Sequence, residues 1–239
     1  MFDDFVRNNV VPLLCAANEE SKEDIQLALH RKFKRIQVVK LYHIKCEEKS
    51  EEICIAYLVI LHEKQTIAVV FRGYKNVEVF LNKMTNPLEL REWIDFNVTG
   101  SKVIGYSQGG AIASIASTIF VRNGYVDSHD LKQFTLGQPR VGDLAFAQGH
   151  DQFVPFSFRI VNKHDPIPTL PRRDFILDSK LGPHHHRYEV WYKNSMSQAS
   201  NHMVSHMAED PLGRASEELV TDPHDHLNYF DVDISSCQV

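Results

Sequence analysis

Three residue types in a fixed order carry the chemistry open to this chain. Ser107 lies in Gly105-Tyr106-Ser107-Gln108-Gly109, a G-x-S-x-G pattern. The short apolar run "KVIGY" (102–106) before it reads as a strand. After it, Ala111, Ile112, Ile115, Ala116 and Ile119 recur at spacings of three and four, as on one apolar face of a helix. A serine at such a strand-to-helix elbow projects its hydroxyl above the sheet. Small neighbours let strand and helix close up, and the helix N-terminus favours negative charge developing there. The hydroxyl becomes a nucleophile when a base takes its proton, and the base needs an acid to orient it. Asp165, in "KHDPIP" (163–168), follows the strand-like "FSFRIVN" (156–162), where a proline-stiffened turn fixes where a carboxylate points. By itself an Asp before Pro also reads as a turn initiator. Thirteen histidines are present and several follow Asp165, so residue spacing alone does not choose the base.

These groups need a scaffold. Residues 4–34 read as mostly helix. Three β-rich runs follow, "RIQVVKLYHI" (35–44), "ICIAYLVILH" (53–62) and "TIAVVFRG" (66–73), separated by polar turns, which predicts an antiparallel meander. Beyond residue 100, "KVIGY", "LKQFTLG" (131–137), "FSFRIVN" and "RYEVWYK" (187–193) alternate with helical or loop signals. Gly124 is placed to end the helix that follows Ser107. Such alternation predicts crossover units and an α/β class with a mixed, mostly parallel central sheet flanked by helices. No internal repeat or proline-rich linker divides the chain, so one domain over 1–239 is expected.

Composition narrows the function classes. The chain has 239 residues, 43% hydrophobic and 24% charged, with a formal net charge of −5 and an isoelectric point near 6.2. Nothing in that balance recommends nucleic acid or an anionic membrane as a partner. The one basic cluster, "HRKFKR" (30–35), reads as a solvated helix end. The longest uncharged apolar stretch, "ICIAYLVIL", is far short of the about 20 residues a membrane-spanning helix needs, so no transmembrane segment is expected. No signal peptide is visible, because Asp3, Asp4, Arg7, Asn8 and Asn9 interrupt the start. The four cysteines contain no C-x-x-C pair and do not suit zinc. Cys46 and Cys54 flank a polar turn between two strand-like runs and could form a hairpin disulfide.

With "VVFRG", "GYSQGGAIAS", "FTLGQPRVGD", "FRIVNKHDPIPTLP", "HHRYEVWY" and "DHLNYFDV" in view, the chain resembles the class 3 lipases, the fungal-lipase-like α/β-hydrolases, in a divergent nematode-type form. The resemblance runs from about residue 40 to the C-terminus. It implies an α/β-hydrolase fold, with Ser107 as nucleophile, Asp165 as acid and His226 as base, hydrolysing carboxylic esters, glycerolipids among them, through an acyl-enzyme. The implied oxyanion hole uses the backbone N–H groups of Gln108 and Tyr74. Also implied are a lipid or small ester substrate, transient contact with a lipid interface, no cofactor, an extracellular setting, and a second disulfide, Cys15–Cys237, tying the N-terminal helix to the chain end.

The sequence departs from the family at Tyr74, where Thr or Ser is usual, and at Gln108, where Leu is usual. The segment between 74 and 101 is shortened where a lid is expected, and it contains an Asn97 sequon. These departures raise a second reading, a lipase-fold protein that binds lipid or a protein partner without turnover. Among the histidines, His184, His185 and His186, and His202 with His206, lack an acidic partner at a hydrolase spacing, so no metal is expected. Trp93 and Trp191 read as packing residues. The segment 202–226 reads as an insertion loop with a short helix.

Overall fold

The structure, a computed structural model, describes residues 2–46, 53–73, 100–173, 182–196, 201–217 and 219–237. The chain opens with a helix, Phe2–Phe5 (α1), a π-helical stretch over Val6–Val10, a helix over Val11–Ala16 (α2), and a further helix, Lys22–His30 (α3). Ser21 starts α3 because its hydroxyl accepts the Asp24 N–H at 3.0 Å, one of the donors a helix start leaves free. The basic cluster that ends α3 is exposed apart from Phe33, as its composition suggested.

Three strands, Ile36–Lys45 (β1), Ile53–Leu61 (β2) and Thr66–Phe71 (β3), form the antiparallel meander expected from their turns. Ser101–Tyr106 (β4), Leu131–Leu136 (β5), Ser157–Asn162 (β6) and Glu189–Tyr192 (β7) continue the sheet in parallel, each beside the last. Met203–Ser205 (β8) closes it antiparallel to β7, a strand within the segment read as an insertion loop. The crossovers β4 to β5 and β5 to β6 carry the helices Gln108–Arg122 (α4) and Leu144–Phe153 (α5). The Asp143 carboxylate caps α5 by accepting the Phe146 N–H at 2.9 Å. Gly124, at φ +73°, ends α4, with the Tyr125 N–H returning to the Phe120 carbonyl at 2.9 Å. A short helix, Pro223–Leu227 (α6), and a two-stranded ribbon, Asn228–Tyr229 (β9) with Val232–Asp233 (β10), finish the fold.

The strand alternation sorts side chains onto two different faces. On one face Val70, Ile104, Tyr106, Phe134, Leu136, Ile160, Val190 and Tyr192 pack against Val6, Val10, Leu13 and Leu14 of the N-terminal helices and against Tyr229, Phe230 and Ile234. The Tyr57 hydroxyl donates to the Leu13 carbonyl at 2.5 Å across that interface. A disulfide between Cys15 and Cys237 closes the N-terminal helices onto the chain end, and a second joins Cys46 to Cys54 at the end of the β1–β2 hairpin. Both expected pairings are present.

On the other face, α4 and α5 cover Phe71, Val103 and Leu131. From β5 to β7, however, that face is polar. Gln133, Ser157, Arg159 and Glu189 are buried there, with Arg159 Nε donating to the His186 carbonyl at 2.7 Å and pairing with Glu189 at 3.4 Å. This changes the reading of α4. The stripe Ala111-Ile112-Ile115-Ala116-Ile119 is only part of its buried surface, since Ile112, Ala116 and Ile119 are half-buried while Gly110, Ala113, Ser114 and Ser117 are fully buried. Small residues face the sheet because strand and helix approach closely, and Ser114 is tolerated because Gln133 donates to its hydroxyl oxygen at 2.9 Å. Trp191 is buried with its indole N–H on the Lys163 carbonyl at 2.8 Å, a packing residue as expected. Trp93, Asn97 and the turn 47–52 lie outside the described residues. No described helix is long and apolar enough to cross a membrane.

Candidate active site

The site forms where β4, β5 and β6 end. Ser107 sits between β4 and α4 at φ +56°, ψ −129°, a conformation a non-glycine residue adopts only when its surroundings impose it. Its N–H is held by the Leu136 carbonyl at 2.9 Å, and its own carbonyl accepts the Gly110 N–H at 2.9 Å. The flanking glycines are steric requirements: a Cβ on Gly105 would collide with the Gly109 carbonyl and the Gly110 Cα. The structure therefore supplies the elbow that the motif predicted.

His226, the penultimate residue of α6, is fully buried and brings its Nε2 to 2.9 Å from the Ser107 hydroxyl oxygen. Its Nδ1 lies 2.9 and 2.8 Å from the two carboxylate oxygens of Asp165. A carboxylate can only accept, so Nδ1 carries the proton and Nε2 presents a lone pair to the serine. Asp165 is fully buried just past β6. Its Oδ1 accepts the Ile167 N–H at 2.8 Å and its Oδ2 the Tyr229 hydroxyl at 2.5 Å. Burial, then the Asp165 charge, pushes the Tyr229 phenol far above its ordinary range, so it stays protonated and donates. Gly137, at φ +58°, has no room for a side chain: a Cβ there would lie 2.6 Å from Asp165 Oδ2 and 2.8 Å from the His226 ring.

The His226 ring is held from several sides. Tyr106 stacks on the His226 ring at 4.9 Å, and its hydroxyl donates to the His226 carbonyl at 2.9 Å. The Asn162 side-chain amide donates to the carbonyls of Asp225 at 3.1 Å and Asn228 at 2.7 Å, on either side of His226. Beside these three residues, His164 and Lys163, next to Asp165, meet Asp225, next to His226, with the His164 N–H on the Asp225 carboxylate at 3.1 Å and Lys163 Nζ at 3.4 Å from it. Sequence reasoning did not single out Tyr106, Tyr229, Asn162 or Gly137. All four stand inside or beside quoted motifs, but their use depends on contacts between distant segments.

Gln108 opens α4, so its backbone N–H belongs to the group that helix geometry leaves without an acceptor. Its side chain is buried, with Oε1 3.8 Å from the Cys54 sulfur. A polar residue is thus accommodated beside the hairpin disulfide. Tyr74 lies outside the described residues. Gly73, immediately before it, lies against the elbow, where a Cβ would meet the Tyr106 carbonyl at 2.7 Å and Ser107 Cβ at 2.8 Å. The three consecutive histidines diverge. His184 meets Gly182 and Arg173, His185 meets the Pro168 carbonyl at 2.7 Å, and His186 turns under α4. His202 and His206 pack on Tyr192 and Tyr188 respectively.

With this geometry established, similarity to known proteins can be weighed. The family profile described as Lipase (class 3) matches residues 65–175. A Caenorhabditis elegans lipase, ZK262.3, is 26% identical over 82% of this chain and 70% of its own length. A Rhizopus niveus lipase is 34% identical over 56% of this chain, spanning only 33% of its own length. Among solved structures, lipase II from Rhizopus niveus superposes with a TM-score of 0.74 at 19% identity, covering 99% of this chain and 96% of that one. The Rhizomucor miehei triacylglyceride lipase gives 0.73 at 21% identity, covering 97% and 96%. Together with the mixed, mostly parallel sheet and the serine elbow at the end of its interior strand β4, these relationships make this chain a class 3 lipase-like protein with the α/β-hydrolase fold.

Proposed function

We propose that the protein is a serine hydrolase of carboxylic esters, with glycerolipids as its substrate class, working as one domain over residues 1–239 in an extracellular setting. The observation that carries this reading is the continuous chain from Ser107 through His226 to Asp165, closed at 2.9 and 2.8 Å in a buried site. His226 Nε2 takes the Ser107 proton as the oxygen attacks the ester carbonyl. The same proton passes to the leaving alcohol, and water then repeats the sequence to release the acid. Asp165 keeps Nδ1 protonated and offsets the charge the ring acquires. The Gln108 N–H, and that of Tyr74 as the second donor, stabilise the oxyanion. Glycerolipid chemistry is suggested by relatives described as a triacylglyceride lipase, a secreted mono- and diacylglycerol lipase and a phospholipase A1. Two disulfides support an oxidising compartment.

A fluorophosphonate probe tests the activated serine without presupposing a substrate. It adds its mass to the peptide containing Ser107, fails to do so in Ser107→Ala, and reacts far more slowly with His226→Ala. No adduct at Ser107 on a folded chain would overturn the proposal. Tyr229 supplies a finer test. Tyr229→Phe removes one hydrogen bond to an ionised Asp165, and such bonds contribute about 1.5–3 kcal/mol. The expected result is a roughly 10- to 100-fold fall in kcat on a p-nitrophenyl ester with little change in KM.

A further inference from the structure

We propose that His150, Asp151 and His186 form a binding site for one divalent transition cation of the zinc class, bracing α5 against the segment that leads into β7. A ring nitrogen from each histidine and a carboxylate oxygen of Asp151 lie within 4.8 Å of one another. Both histidines are buried, and their rings lie face to face at 3.6 Å, so one ring must turn for the two in-plane lone pairs to meet a single ion.

The protons can be assigned from neighbours. The Gln133 amide nitrogen donates to the Ser114 hydroxyl oxygen at 2.9 Å, which turns Gln133 Oε1 toward His150 Nε2 at 3.1 Å. That carbonyl oxygen requires a donor, so His150 carries its proton on Nε2. Its Nδ1 is left as a bare lone pair, buried without a hydrogen-bond partner. An imidazole whose far N–H is fixed by an amide oxygen and whose near nitrogen is open is oriented as a metal-bound histidine is.

The other two ligands can be released. His186 Nε2 lies 2.8 Å from the Ser114 oxygen, and its Nδ1 lies 2.9 Å from the Arg187 carbonyl. Gln138 Nε2 also donates to His186 Nε2 at 3.0 Å, so moving the proton from Nδ1 to Nε2 requires the Gln138 amide to turn over and present its oxygen; with that exchange Nδ1 is freed at no net cost in protons. Asp151 Oδ1 accepts the Arg187 N–H at 2.7 Å, while Oδ2 pairs with a guanidinium that is 44% exposed. That guanidinium can turn to solvent and leave Oδ2 for the cation. Two imidazoles and one carboxylate suit zinc, copper or nickel over calcium or magnesium. Zinc bonds of about 2.0–2.2 Å require the three groups to draw together, leaving a fourth position for water. The site is distinct from Ser107, Asp165 and His226 and independent of the proposed catalysis.

The test uses the full chain, stripped with a chelator and titrated with zinc by calorimetry, together with the visible spectrum of the cobalt-loaded form. The expected result is one site per chain at micromolar affinity or tighter, a higher thermal midpoint, and cobalt bands of tetrahedral type. Asp151→Asn, which keeps an acceptor for the Arg187 N–H, and His150→Phe should each weaken binding at least 100-fold. His202→Gln with His206→Gln should leave it intact, which separates the site from weak binding by other histidines. Absence of a 1:1 site in the wild type, or equal binding by Asp151→Asn and His150→Phe, would overturn the proposal. If His150→Phe fails to fold, Asp151→Asn and the wild-type cobalt spectrum decide it.

Discussion

Ser107→Ala and His226→Ala are each expected to lower kcat for ester hydrolysis by about 10⁶-fold, and the double variant no further, because triad members that act as a unit lose their effect together. Asp165→Asn should cost about 10⁴-fold, since an amide in place of the carboxylate favours the wrong tautomer of the base. Here the geometry strengthens that expectation. Asp165 accepts from Ile167, Tyr229 and His226 at once, and an Asn would turn an N–H toward one of those donors. Turnover of a p-nitrophenyl ester by the four purified variants, with the fold verified by circular dichroism, measures these effects. Ser107→Ala hydrolysing at the wild-type rate would sink the serine mechanism. The residual rate carries information too, because an oxyanion hole working without a triad leaves about 10³- to 10⁴-fold over water.

A steep loss of stability below about pH 6.5, the unperturbed pKa of histidine, is the second large effect. His150, His185 and His186 are buried, and burial is the main cause holding each below its ordinary pKa, His150 at about 3. The folded chain keeps them neutral, whereas the unfolded chain protonates them as the pH falls past 6.5. The unfolded state then binds more protons, so stability is full above 6.5 and falls as pH falls. Each group contributes about 1.4 kcal/mol per pH unit in that window. Three together approach about 4 kcal/mol per unit, so two units remove an amount comparable to the about 5–15 kcal/mol stability of a typical domain. Glu209, its pKa held low chiefly by Arg140 against the effect of burial, adds loss of the same sign at lower pH. Asp151, raised by burial, offsets a small part. Urea midpoints between pH 4.5 and 8 measure the slope, and His185→Gln should flatten it by about a third. A flat profile from pH 6.5 to 4.5 would rule out the neutral buried histidines. Saturating zinc, if the proposed site binds it, should deepen the acid dependence, because protons and cation compete for the same nitrogens.

Much of the site was legible because elbow chemistry is local. The pattern around Ser107 needs glycines where strand and helix touch, and those contacts join residues only a few positions apart. The strands were legible for the same reason: alternation and turn residues are short-range signals. Asp165 and His226 were different. Asp165 alone reads as a turn residue, and only motif resemblance selected His226 from thirteen histidines. Their partners Tyr229, Asn162 and Tyr106 carried no signal of their own, since a buried hydroxyl or amide is defined by what it meets across 60 or more residues of chain.

What the sequence determined by itself, then, was the order of elements, the elbow, and the candidates Ser107 and Asp165. The tertiary structure decided the fate of the polar positions. Along β5, β6 and β7 the strand signal carried no assignment for Gln133, Ser157, Arg159 and Glu189, and α4, α5 and the histidine-rich segment bury them. Desolvation makes such groups costly unless each finds a partner. Those partners, Ser114, His150, His186 and the Arg214 N–H, come from other segments of the chain. Strand periodicity specifies that a side chain points away from the apolar core. Whether it meets water or a buried hydrogen-bond network depends on which helices pack over it.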